Sequence, residues 1–185
     1  MWEDQAKYCP LCGSGLETGS VGGRTRLRCG RCPFVLYRNP ASAALGVVLD
    51  PAARVLLIRR AIEPFRGHWA LPAGYQEADE SPEEALVREV REESGLEVES
   101  LGLLELTYTD SDPRKPANVA VYLCRPIGGE LVHGQEEVDV GWFSLDALPS
   151  PIGFDNYERI LRRLTLPEGY PVSPWGVLRT LLTDA

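Results

Sequence analysis

The chain has 185 residues, 44% hydrophobic and 25% charged, with a net charge of −8; this is the profile of a globular protein with one ordinary domain and a small appendage. The acidic balance argues against broad electrostatic binding to nucleic acid polymers or anionic membranes. No apolar run reaches the ~20 residues of a membrane span, and MWEDQAKYCP lacks the apolar core of a secretory signal, so no membrane partner is expected and a cytoplasmic location is the default.

The first forty residues are rich in Gly, Cys and Arg. CPLC at Cys9–Cys12 and CGRC at Cys29–Cys32 are separated by sixteen residues, the spacing of a zinc ribbon. Four thiolates (Cys9, Cys12, Cys29, Cys32) around a tetrahedral Zn²⁺ make a closed structural site. Two disulfides are the other reading, and a reducing compartment disfavours them. Residues 1–38 carry Lys7, Arg24, Arg26, Arg28, Arg31 and Arg38 against Glu3, Asp4 and Glu17. Zinc-bound thiolates erode that basic excess, so a scaffold or dimer-contact role is expected of the ribbon before a nucleic-acid one.

Next, ASAALGVVLD and RVLLIRR read as strands on either side of the turn at Asp50-Pro51, and GHWALPAGY as a short apolar run ending in a loop. SPEEALVREVREESG reads as a helix. LGLLELTYT, NVAVYLCRP and VDVGWFSL read as strands, with a glycine-rich turn at Gly128-Gly129. DNYERILRRL reads as a helix with Tyr157, Ile160, Leu161 and Leu164 on one face, and WGVLRTLL as a last short helix. Cys124, inside VAVYLC, reads as a packing residue. The irregular alternation predicts an α/β fold, a mixed sheet covered by helices.

The first helix is strongly marked. Ser81 is an N-cap, Pro82 sits at the first helical position, Glu84 completes a capping box and Gly95 supplies the stop. At about 100° per residue, Leu86, Val87 and Val90 form a stripe expected to be buried, and Glu89, Glu92 and Glu93 form a separate acidic one. Such like charges cost ~0.2–0.5 kcal/mol per pair on a helix. Two readings follow from spacing alone: a solvated acidic face, or carboxylates gathered for a divalent cation such as Mg²⁺.

The wider pattern is more specific. Gly74, Glu80, Arg88-Glu89, Val90, Glu92-Glu93, Gly95 and Leu96 stand at the spacing of the Nudix box, and GHWALPAGY before it and VGWFSLDALP after it also look like Nudix flanks. The chain therefore resembles a Nudix hydrolase over residues 41–150. The resemblance implies an α/β/α sandwich with a mixed sheet, preceded by the ribbon. The layout implied is ribbon 1–38, Nudix domain 39–150 and a helical extension 151–185. It implies Mg²⁺ (or Mn²⁺) held by Glu89, Glu92, Glu93 and the Ala73 carbonyl. Arg88 would orient a glutamate, Gly74 would permit close approach to the metal, and Glu80 would support the site from the helix entrance. Glu89 is one candidate base; Glu136, Glu137 and Asp139 are others, with Asp139 at the place of a common extra metal ligand. A homodimer is what the family implies.

The order ribbon, YRNP at Tyr37–Pro40, then box resembles the NADH pyrophosphatases and the zinc-ribbon Nudix proteins that include FAD and ADP-ribose pyrophosphatases. The SQPWPFP motif of the NADH group is absent; that region reads ELTYTDSDPRKP. Pro113, seventeen residues past Leu96, is a weak match to the ADP-ribose group, and Tyr108 to diadenosine polyphosphate enzymes. The expectation is a nucleotide pyrophosphatase acting on ADP-ribose, FAD or a related dinucleotide and releasing AMP. Phe65, Trp69 and Tyr108 are candidate base-stacking groups, each with a packing alternative. Action on nucleoside triphosphates, or a non-catalytic nucleotide-sensing regulator, are the alternatives. The intact box and the lack of room for a DNA-binding helix-turn-helix after Pro149 weigh against the regulator.

Overall fold

The computed structural model describes residues 5–112 and 115–164; Pro113 and the WGVLRTLL segment lie outside them. The chain divides into two compact units: the first takes the residues up to Pro40 together with Lys115, and the second runs from Ala41 to Asp112 and resumes at Pro116.

In the first unit, strands β1 (Leu16–Val21), β2 (Arg24–Cys29) and β3 (Val35–Leu36) form an antiparallel sheet. Among its described residues the buried hydrophobic side chains are Cys9 and Cys29, so the cysteine cluster forms their core.

The second unit holds two sheets. In the central one, β4 (Ala41–Val48) lies between β7 (Ala73–Tyr75) and β9 (Ala117–Gly129), and β8 (Leu96–Thr109) forms the far edge. β4 and β9 run parallel and the other pairs antiparallel, so the sheet is mixed. A second sheet has the order β10 (Glu137–Phe143), β5 (Val55–Arg60), β6 (Trp69–Ala70). The alternation along β4 builds two cores, because successive side chains point to opposite faces. Ala44 and Val48 pack with Ala85, Leu86 and Val90 of helix α1 (Pro82–Ser94). Ala43, Leu45 and Val47 pack with Tyr157, Ile160 and Leu161 of helix α2 (Asp155–Leu164). The two helices therefore cover opposite faces, giving the α/β/α sandwich.

Three expectations are corrected. Val87 is exposed, and Ala85 with Leu86 and Val90 makes the buried stripe; the small Ala85 lies where the helix meets the sheet, rotating the contact one position back. Gly128 and Gly129 are not a turn but the last residues of β9, paired with Glu97 and Leu96. That pairing starts because β8 begins directly after Gly95, earlier than the apolar run at LGLLELTYT suggested. Cys124, by contrast, is buried beside α1, the packing residue that was expected. Among the described residues no helix is long and apolar enough to cross a membrane.

Candidate active site

Helix α1 is fixed at both ends by its own sequence. Ser81 Oγ accepts from the Glu84 N–H (3.2 Å) and Glu84 Oε2 accepts from the Ser81 N–H (2.7 Å), the reciprocal capping box. Gly95, at φ 72°, returns its N–H to the Arg91 carbonyl. With Ala85, Leu86 and Val90 turned into the core, Glu89 and Glu93 face the β7 loop and Glu92 faces solvent, 60% exposed.

Each glutamate has a distinct setting. A Cβ on Gly74 would come within 2.0 Å of the Glu89 carboxyl, so only glycine leaves room for it there. Glu93 Oε2 accepts the N–H of Ala73 (2.9 Å). Arg88 binds the group together: Nε and Nη2 donate to Glu80 (3.0 and 2.6 Å), Nη1 donates to Glu89 (2.8 Å) and Glu92 (3.2 Å), and Nη2 also donates to the Tyr75 carbonyl (3.1 Å). One rigid fork thus ties four partners, a task lysine cannot copy. Hydrogen bonds from Arg88 hold the Glu80 carboxyl down at about 2, and that of Glu84 is lowered by the Ser81 N–H. Burial pushes Glu89 up despite Arg88, and pushes Glu93 well up, with the charge of Glu137 adding to it.

The loop before β10 completes the site. The Val132 N–H donates to the Ser94 carbonyl (2.9 Å) and the Gly134 N–H to that of Glu93 (3.2 Å), so this loop satisfies the open carbonyls at the end of α1. The approach is close: a Cβ on Gly134 would meet the Glu92 carbonyl at 2.3 Å and Glu137 Oε2 at 2.6 Å. Glu137, 5% exposed, is thereby brought to Glu93, and burial raises its carboxyl too. Asp139 sits apart. It is exposed and accepts from the Val140 N–H (2.9 Å). A β-bulge explains the split: Glu137 pairs with Arg60 and Asp139 with the adjacent Arg59, so two residues that would share a strand face point opposite ways.

α2 also reaches this region, which the sequence did not disclose: the charges of Glu93, Arg60 and Tyr75 all act on the buried Tyr157 hydroxyl. Of the stacking candidates, Phe65 packs on Phe154 (4.6 Å between centroids) and Trp69 on Phe143 (4.7 Å), while Tyr108 is exposed. The carboxylates of Glu89, Glu92 and Glu93 do not close into one group within 4.8 Å, as the four cysteine sulfurs do; like charges settle on separate partners. The pairs Cys9–Cys32 and Cys12–Cys29 both stand at 3.5 Å, close to the ~3.8 Å edge of a tetrahedron with ~2.3 Å zinc–sulfur bonds. Hydrogen bonds from Ser14 lower the Cys12 thiol to about 6.

The family model of the NUDIX domain matches residues 39–164. The chain belongs to the Nudix family. It is 39% identical over 130 residues to the ADP-ribose pyrophosphatase of Methanocaldococcus jannaschii, covering 70% of this chain and 75% of that one. It is 31% identical over 150 residues to the NAD-capped RNA hydrolase NudC of Pseudomonas aeruginosa, covering 80% of this chain but only 51% of that relative. A crystal structure of a Nudix hydrolase from Nitrosomonas europaea superposes with a TM-score of 0.77 at 27% identity, covering 85% and 89% of the two chains. This protein is a Nudix hydrolase, and its paired cysteines form a cluster that fits a zinc ribbon.

Proposed function

We propose that this Nudix hydrolase cleaves the diphosphate of ADP-ribose or a related dinucleotide such as FAD, releasing AMP, and does so with Mg²⁺ or Mn²⁺ in the cytoplasm. The observation that carries the metal reading is the Gly74 cradle: the chain leaves out a side chain so that the Glu89 carboxyl can lie against the loop. Glu93 beside it is buried against a second carboxylate, Glu137, and both push its carboxyl well above the usual range; a cation is the natural counterpart of such a set. Glu89, Glu92 and Glu93 would hold the ion, with the Ala73 carbonyl and Glu137 as further oxygen donors. The ion supplies charge neutralisation of the diphosphate and acidification of water.

In the reaction, a water oxygen attacks one phosphorus, the anhydride P–O bond breaks, and the water proton passes to Glu89. Arg88 holds Glu89 for this through its 2.8 Å bond. From ADP-ribose the products are AMP and ribose 5-phosphate. Zn²⁺ on Cys9, Cys12, Cys29 and Cys32 is a structural ion with no place in this step. The substrate preference is supported by the ADP-ribose pyrophosphatase relative.

The test is product analysis with Mg²⁺ across ADP-ribose, FAD, NADH, diadenosine polyphosphates and nucleoside triphosphates. ADP-ribose or FAD should give the highest kcat/KM, and Glu89→Gln should lower kcat by about 10²–10⁴ with KM spared. Tight nucleotide binding with no turnover of any compound would replace this reading with that of a nucleotide-sensing regulator.

A further inference from the structure

The carboxylates of the site are accompanied by one cation that the preceding reading leaves without a task. Arg60 ends β5 and stands directly opposite Glu137 in the β5–β10 ladder. Opposed residues in an antiparallel pair share a face, so Arg60 projects to the side occupied by Glu137. Its charge is felt at Glu93, at Glu137 and at the Tyr157 hydroxyl.

Yet Arg60 is not spent on these neighbours. Its Nε donates to the Pro64 carbonyl (2.8 Å), and its guanidinium lies over the Phe154 ring at 5.5 Å. Neither terminal nitrogen has a hydrogen-bond or ion-pair partner among the described residues. The backbone around it is equally fixed: the Arg60 N–H donates to the His68 carbonyl and the Arg60 carbonyl accepts from Gly67 (2.8 Å). Phe154 in turn is wedged between Phe65 and Tyr157, at 4.6 and 4.8 Å. A planar fork held by its inner nitrogen and by a ring, with its outer donors open beside a carboxylate site, has the form of a pre-set anion contact.

We infer that Arg60 is a substrate-binding residue, whose terminal N–H groups take a non-bridging phosphate oxygen of the diphosphate while Pro64 and Phe154 hold the guanidinium in place. The inference rests on the diphosphatase reading above and adds to it the group that admits an anion into an acidic pocket. The rival role for Arg60 is structural, neutralising Glu93 and Glu137 so that they can stand close.

The two roles move metal affinity in opposite directions. Removing a cation that only faces the site strengthens the field on a divalent ion, whereas removing one that organises the ligands scatters them. In the full-length, zinc-loaded protein, Arg60→Gln should bind Mn²⁺ at least as tightly as wild type, measured by electron paramagnetic resonance without nucleotide. In the same variant, the KM for ADP-ribose and the inhibition constant for inorganic pyrophosphate should each rise by about 10- to 100-fold. Arg60→Lys keeps the stem on Phe154 and one charge but not the fork, and should recover part of that loss.

Weaker Mn²⁺ binding in Arg60→Gln, or unchanged KM and pyrophosphate inhibition in both variants, overturns the inference. Wild type that neither binds Mn²⁺ nor cleaves any diphosphate overturns the reading beneath it as well; an active wild type with an indifferent Arg60 overturns this role alone.

Discussion

Glu93 shows how much a single side chain can be asked to do. Burial and the nearby Glu137 raise its carboxyl well above the usual range near 4.3. A carboxyl raised in the folded state favours folding fully below its unfolded value, and that contribution is lost as pH rises through the folded one. Without Mg²⁺, ionisation of Glu93 as the pH rises therefore costs the fold stability. Glu93→Gln keeps an oxygen for the Ala73 N–H and removes the charge. In Mg²⁺-free buffer at pH 7.5 it should melt above wild type, by about 2–4 °C for each kcal/mol regained. The gap should narrow as the pH falls toward 5, and turnover with Mg²⁺ should vanish. Calorimetry at two pH values checks the sign; a variant that melts below wild type at pH 7.5 contradicts it. The local chemistry around this residue was readable in advance, because Ser81, Pro82, Glu84 and Gly95 set α1 by near-neighbour rules. The choice between Glu137 and Asp139 was not, since a one-residue bulge in β10 reverses parity and leaves no mark in composition.

Among the elements, α2 spans the expected residues and buries the expected face, but its place in the fold was not foreseen. Its apolar face was legible from the spacing of Tyr157, Ile160, Leu161 and Leu164, but periodicity does not say what a helix packs against. Here it closes the core opposite α1 and brings Phe154 and Tyr157 to the site. Its outer side is fastened to β8: Arg159 donates to both oxygens of Glu105 (3.1 and 2.5 Å), and Arg163 donates to Glu105 as well. Glu105 is the shielded partner, its side chain 15% exposed, and the arginines are partly in water. Glu105→Ala should therefore cost roughly 1–2 kcal/mol, toward the lower end for charged hydrogen bonds. Urea titration reads this as a lower midpoint. The same variant should show a raised KM, because Phe154, the ring under Arg60, leads directly into α2; a stability loss with unaltered kinetics would separate the helix from the site.

At the scale of the molecule, the two units are held by different means. The Nudix unit has two hydrophobic cores, whereas the buried apolar side chains described in the ribbon are Cys9 and Cys29. A module of ~40 residues with so little to bury would depend on a metal held by its four cysteines. Stripping one equivalent of zinc should expose residues 5–38 to protease while the unit from Ala41 keeps its thermal transition; protection of the ribbon after zinc release would show that it folds unaided. This division was plain from the cysteine spacing, which is a local signal. The proposed substrate is less so, since the groups assigned to its site are spread over β5, α1 and the loop before β10.

That dispersal has a temporal side. A growing chain holds every box glutamate by residue 93, Glu137 some forty positions later, and the ring beneath Arg60 only at position 154. A nascent chain therefore carries its acidic motif well before the helix ending at Leu164, which seals the second core, has left the ribosome.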